Sequence, residues 1–87
     1  MASFELRFKQ SVAKDLRSIP NKDVARILKR IEGLTRNPRP HGVEKLSAQD
    51  LYRIRQGIYG IIDEIKDDEL IIFVVKIGHR RDVYRSC

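Results

Sequence analysis

The chain has 87 residues, 41% hydrophobic and 34% charged, with 18 Lys and Arg against 12 Asp and Glu for a formal charge of +6. That length holds one core and one domain, residues 1–87, and the surplus of cations favours a polyanionic partner. A single cysteine, Cys87, suits a reducing, cytoplasmic setting; the longest apolar run, Leu70 to Val75, is far below the ~20 residues of a membrane helix, and no basic-then-apolar leader follows Met1.

Phe4, Leu6 and Phe8 alternate with Glu5 and Arg7, which predicts a strand with one buried face. Val12, Leu16 and Ile19 recur at helical spacing, and Pro20 with Asn21 is expected to stop this first helix and cap a second. The second helix shows one apolar stripe, Val24, Ile27, Leu28, Ile31 and Leu34, and carries Lys22, Arg26, Lys29, Arg30 and Arg36 on its other faces. Asn37 to Gly42, with Pro38 and Pro40, is a breaker-rich loop. The period then returns to two, predicting strands at Leu51–Arg55, Ile58–Ile65 and Glu69–Ile77, joined by short turns at Gln56-Gly57 and Lys66-Asp67-Asp68. The expected architecture is β-α-α-β-β-β, an α+β two-layer sandwich with two helices on one face of a mainly antiparallel four-stranded sheet. The last strand is apolar throughout from Leu70 to Val75, so both its faces need cover, and the tail or a partner chain must supply the second.

Several chemistries lack their residues. The five glycines form no phosphate-binding loop, two histidines and one terminal cysteine do not make a metal site, and Ser3, Ser11, Ser18 and Ser86 have no triad setting. Arginine on a strand remains. Arg53 and Arg55 project to one face and Tyr52 and Ile54 to the other, so two guanidinium groups stand about 7 Å apart, near the spacing of successive phosphates. A second cluster, Gly78-His79-Arg80-Arg81-Asp82-Val83-Tyr84-Arg85, interrupts basic charge with an aromatic that could stack a base. Both clusters read equally as solvated charge.

The chain resembles the RelE/ParE superfamily of small bacterial toxins from toxin–antitoxin pairs, on the side of the RelE-like mRNA endoribonucleases. The resemblance rests on Phe8-Lys9, Asn37-Pro38-Arg39-Pro40, Glu44-Lys45-Leu46, Leu51-Tyr52-Arg53-Ile54-Arg55 and the ending Lys76-Ile77-Gly78-His79-Arg80-Arg81-Asp82-Val83-Tyr84-Arg85. It implies cleavage of mRNA, often in the ribosomal A site, by attack of the ribose 2′-hydroxyl on the adjacent phosphate, with no metal and no cofactor. It also implies a cognate antitoxin as partner. By position, Arg53, Arg55, Arg80 and Tyr84 match catalytic residues, and Lys45, His79, Arg81 and Arg85 are expected to hold RNA. Arginine stays protonated, so Arg53, Arg55 and Arg80 are electrostatic clamps rather than bases. The proton carrier then comes from Tyr84, the favoured base or orienter, or from His79. The pattern departs at Gly60, where RNA-cutting members place an arginine facing the phosphate. The rate, or the activity itself, therefore depends on what serves in its stead, and Gly60→Arg is expected to raise cleavage if that group is limiting. Gly60 within a strand also suggests a bulge. The alternative is a ParE-like toxin that binds DNA gyrase without catalysis. The helix face bearing Arg26, Lys29 and Arg30 is either an antitoxin seat or merely solvated.

Overall fold

The computed structural model describes residues 3–46 and 50–85, with side chains as far as Val83. Strand β1 (Glu5–Phe8) leads into helices α1 (Gln10–Arg17) and α2 (Asn21–Leu34). Strands β2 (Glu44–Leu46), β3 (Leu51–Gln56), β4 (Tyr59–Lys66) and β5 (Ile71–His79) follow, and helix α3 (Arg80–Arg85) closes the described chain. The sheet has five strands in the order β1-β5-β4-β3-β2; β1 runs parallel to β5 and the other pairs are antiparallel. The α+β class stands. The expected four strands become five because Glu44–Leu46, too short for its alternation to show, pairs with Leu51–Arg53.

Turn chemistry sets the strand limits. Gly57, at φ +61, opens a two-residue turn between paired Gln56 and Tyr59, the geometry of a type II′ hairpin. The β4–β5 turn takes Leu70 at φ 55, so β5 starts at Ile71 rather than at the expected Glu69. Asn21 is the first residue of α2 rather than its cap; Pro20 holds the cap position, with no side-chain hydrogen bond. The bulge expected at Gly60 lies instead between Ile62 and Asp63.

Helices α1 and α2 lie on one face. Val12, Ile19, Ile27, Ile31 and Leu34 pack there against Ile54, Ile61, Ile72, Val74 and Ile77. Burial of this kind contributes about 25 cal/mol per Å² of apolar surface and dominates the stability of so small a body. Where β1 ends, the Lys9 amide donates to Val74 O and the chain turns into α1. Asp15 Oδ2 then accepts the Ile77 amide at 3.2 Å, so α1 occupies the edge of β5 that β1 leaves open. Helix α3 covers the second face of β5 at its C-terminal end, over Gly78, past the apolar run Leu70 to Val75 expected to need cover. Phe73, in register with Arg7 and Glu64, remains only half-buried beyond it.

The proline-rich loop is pinned by Arg39, which donates to both Asp67 carboxylate oxygens (3.1 and 2.7 Å) and to the Tyr52 hydroxyl, with its guanidinium 4.8 Å from the Tyr52 ring centre. Beneath it Asp63, in register with Tyr52 and 2% exposed, has its carboxyl pushed up to about 7 by burial, against the opposing pull of its own backbone amide and of Arg39. A carboxyl held above its unfolded value is protonated on folding, so its contribution is complete below about pH 4 and is lost as pH rises towards 7. Asp63→Asn, which keeps the acceptor for the amide, is expected to raise stability at pH 8 by about 2–4 kcal/mol and to leave it unchanged at pH 3.5. Urea titrations at the two pH values measure this; equal effects at both would show that the site is not desolvated.

Candidate nucleic-acid interface

Two rows of residues cross the sheet in register. One is Glu44, Arg53, Ile62 and Lys76; the next is Arg55, Gly60 and Gly78. Residues directly opposite one another on paired strands point to the same face. Arg53, Arg55 and Lys76 therefore share the face away from α1 and α2, with Arg53 and Lys76 about 10 Å apart across the intervening strand.

Helix α3 lies over the same face. Val83 is fully buried, and a Cβ placed on Gly60 would come within 3.3 Å of Val83 Cγ1 and 3.4 Å of Val83 Cβ; one on Gly78 would meet Val83 Cγ2 at 3.4 Å. The paired glycines thus make a shallow seat into which the valine drops. The same point above Gly60 is 3.7 Å from Arg80 Cα, and the Arg80 amide donates to Ile58 O at 2.8 Å. The backbone of the tail arginine is thereby fixed over the row that holds Arg55. Two stretches of chain, around residue 53 and from residue 80, meet on one side of the molecule.

The seat also explains Gly60. A Cβ there would stand 3.3 Å from Val83 Cγ1, so a side chain at this position is accommodated only if Val83 gives by a few tenths of an ångström. Its glycine serves helix packing.

The remaining residues fall out by geometry. Arg53 is ion-paired to Glu44 at 2.9 Å, with the guanidinium side chain 16% exposed and the carboxylate 52%. Glu44 thereby orients the Arg53 guanidinium on this face. His79 Nδ1 accepts the Arg81 amide at 3.2 Å, which leaves Nε2 as the nitrogen His79 can present. His79 and Arg81 are exposed at the start of α3. Tyr84 and Arg85 continue α3, and their side chains lie outside the described residues. Lys45 is in register with Tyr52, so it belongs to the other face and is not brought to Arg53 and Arg55. Among the described residues no group of His, Cys, Asp and Glu could hold a metal, and no helix is long and apolar enough to cross a membrane.

Lys76 was not singled out by sequence reasoning. Counting alternately from Phe73 places it with Val74 on the core face; the bulge between Ile62 and Asp63 shifts the register, so Ile77 joins the core and Lys76 joins the arginines. A bulge in an unbroken apolar run leaves no mark in composition.

Comparison with known proteins gives the family and the fold. The family described as "ParE toxin of type II toxin-antitoxin system, parDE" matches residues 6–84. A curated relative from Methanocaldococcus jannaschii bearing the toxin name RelE1 is 29% identical, over 95% of this chain and 97% of its own. Toxin RelG of Mycobacterium tuberculosis is 25% identical, over 94% and 97%. Among solved structures, the archaeal RelE–RelB complex from Pyrococcus horikoshii superposes with a TM-score of 0.80 at 28% identity, covering 90% of this chain and 96% of that one. The RelB–RelE antitoxin–toxin complex from Methanococcus jannaschii gives 0.72 at 27% identity, covering 92% and 96%. With the family model matching residues 6–84 and the fold shared with these solved toxins, the chain belongs to the RelE/ParE superfamily and is a toxin of a type II toxin–antitoxin system.

Proposed function

We propose that the toxin is a metal-independent endoribonuclease that cuts mRNA, on the ribosome, by attack of a ribose 2′-hydroxyl on the neighbouring phosphate. The observation that carries this reading is the meeting of Arg53, Arg55, Lys76 and the Arg80 backbone on one face. Fixed cations over a phosphate stabilise charge as it builds on the non-bridging oxygens, and they need no reorganisation at the moment of reaction. Lys76 supplies on β5 the positive charge that Gly60 does not supply on β4. The proton is moved by Tyr84 or by His79 through Nε2. Lys45 falls outside this arrangement.

The partner that restrains the toxin is a cognate antitoxin, as in the RelE–RelB complexes it resembles. A second reading, a ParE-like toxin that binds gyrase, is favoured by the ParE family match and by the filling of the Gly60 position with Val83. Inducible expression with mapping of mRNA 5′ ends and of gyrase-linked DNA breaks tests both. New mRNA ends within codons are expected; DNA breaks without them would assign the gyrase role. Binding to a single-stranded RNA is expected to weaken with salt at a log–log slope of about −0.7 per phosphate contact, and a flat response would remove RNA as ligand.

A further inference from the structure

Helix α2 carries a second set of cations that the proposed site does not use. At 3.6 residues per turn, Lys22, Arg26, Lys29 and Arg30 fall on one side of its buried stripe and Leu28 on the other. Two adjoining grooves of about 340 and 330 Å³ open along the cationic side; Arg26 and Gln56 line both, Lys29, Arg30 and Gly33 the first, and Lys22 and Tyr59 the second. Gly33 has nothing within 4 Å of where a Cβ would stand, so the first groove is open at its floor.

These charges are barely compensated. Arg26 approaches Asp23 only at 4.0 Å, and Asp23 already accepts the Tyr59 hydroxyl at 3.2 Å. Among the described residues Lys22, Lys29 and Arg30 have no ion pair, and Arg30 Nε is buried without a hydrogen-bond partner, a donor that an anion in the groove would satisfy. Lys22, Arg26 and Arg30 follow one another at four-residue steps, about 6 Å along the helix, close to the repeat of phosphates on a nucleic-acid strand.

The lining chooses between partners. A protein interface is anchored by several buried apolar or aromatic side chains; the first groove offers none, and the second adds Ile58, 55% exposed, beside Tyr59 and Asp23. The apolar groove of this molecule, at Phe8, Val12, Leu16 and Leu28, lies on the opposite flank of α2. Single-stranded RNA is held by stacking on aromatic rings; the one ring here, Tyr59, is tied to Asp23. Phosphate and ribose contacts alone, without bases, are how double-helical RNA is recognised.

The position gives the surface a use. Strand β2 pairs with Leu51–Arg53, so among the described residues no strand flanks Ile54–Gln56 on that side. Gln56, at the edge of the α2 grooves, is the neighbour of Arg55 on the opposite face. An RNA helix seated on α2 could pass its single-stranded continuation over this bare edge onto Arg55 and Arg53.

We propose that the Lys22–Arg26–Lys29–Arg30 face of α2 is a docking surface for double-helical RNA, positioning the strand that the Arg53 face receives. The inference rests on the RNA-acting reading above, and its test separates the two. The full chain is titrated with an RNA hairpin of about ten base pairs and with an unstructured single-stranded RNA of equal length. For the variant Lys22→Gln/Arg26→Gln/Lys29→Gln, all at exposed positions, hairpin affinity is expected to fall about 30-fold and its salt slope by about two to three, with single-strand affinity changed less than about threefold. Arg53→Gln/Arg55→Gln is expected to do the reverse. Unchanged hairpin affinity in the α2 variant, or equal loss for both probes, overturns the proposal. So does a glutamate-rich peptide whose binding the α2 variant abolishes while leaving the hairpin bound, since that assigns the face to a protein. If the α2 variant loses the hairpin but Arg53→Gln/Arg55→Gln leaves the single strand bound, the docking surface stands and the cleavage reading falls.

Discussion

Arg80→Ala is expected to lower the single-turnover rate of mRNA cleavage by about 10²–10³-fold, the usual loss when one preorganised charge-stabilising donor is removed. The fold should survive it. Arg80 is exposed, its structural contribution is the backbone amide given to Ile58 O, and alanine keeps that amide and favours the helix that begins there. The thermal midpoint should therefore move by no more than about 2 °C, since exposed substitutions away from special features stay within about 0.5 kcal/mol. Arg80→Lys should recover only part of the rate, because an ammonium presents a point charge where the guanidinium presents a fork. Relief of growth arrest in cells follows the same order. Full toxicity of a well-folded Arg80→Ala protein would take the tail arginine out of the chemistry.

The second large effect runs opposite to the family pattern. Gly60→Arg is expected to destabilise the toxin by about 1–3 kcal/mol, or roughly 5–20 °C, and to lower cleavage rather than raise it. The Cβ alone would stand 3.3 Å from Val83 Cγ1 and 3.7 Å from Arg80 Cα, so it presses on α3 where that helix meets the sheet. Overpacking against a helix of six residues, whose buried side chain among the described residues is Val83, is relieved by moving the helix. Val83→Ala in the Gly60→Arg background should return part of the stability, so that the two substitutions are strongly non-additive. Differential scanning calorimetry of the four proteins of this cycle measures the coupling. An arginine at position 60 that increases cleavage with α3 in place would show that the seat has room and that the missing guanidinium limits the rate.

The elements with long periodic patterns were legible before any coordinates. The 3.6-residue stripe of α2 and the alternation in β1 and β3 each require a buried face, so a two-layer α+β fold with Arg53 and Arg55 side by side follows from side-chain direction alone. Their family, too, could be read from motifs spread along nearly the whole chain. What local pattern could not carry is short or relational. Strand β2 has three residues and α3 six, below the length at which a period shows.

Charge placement divides in the same way. Periodicity determines which face of its own element a residue occupies, because the Cβ direction is a property of the local backbone. It cannot say which faces of different elements coincide, since that is settled by register. The bulge between Ile62 and Asp63 brings Lys76 to the arginines, the pairing of Glu44 with Arg53 sends Lys45 away from them, and only the apposition of Gly60 with Gly78 lets Val83, and Arg80 with it, settle on that face.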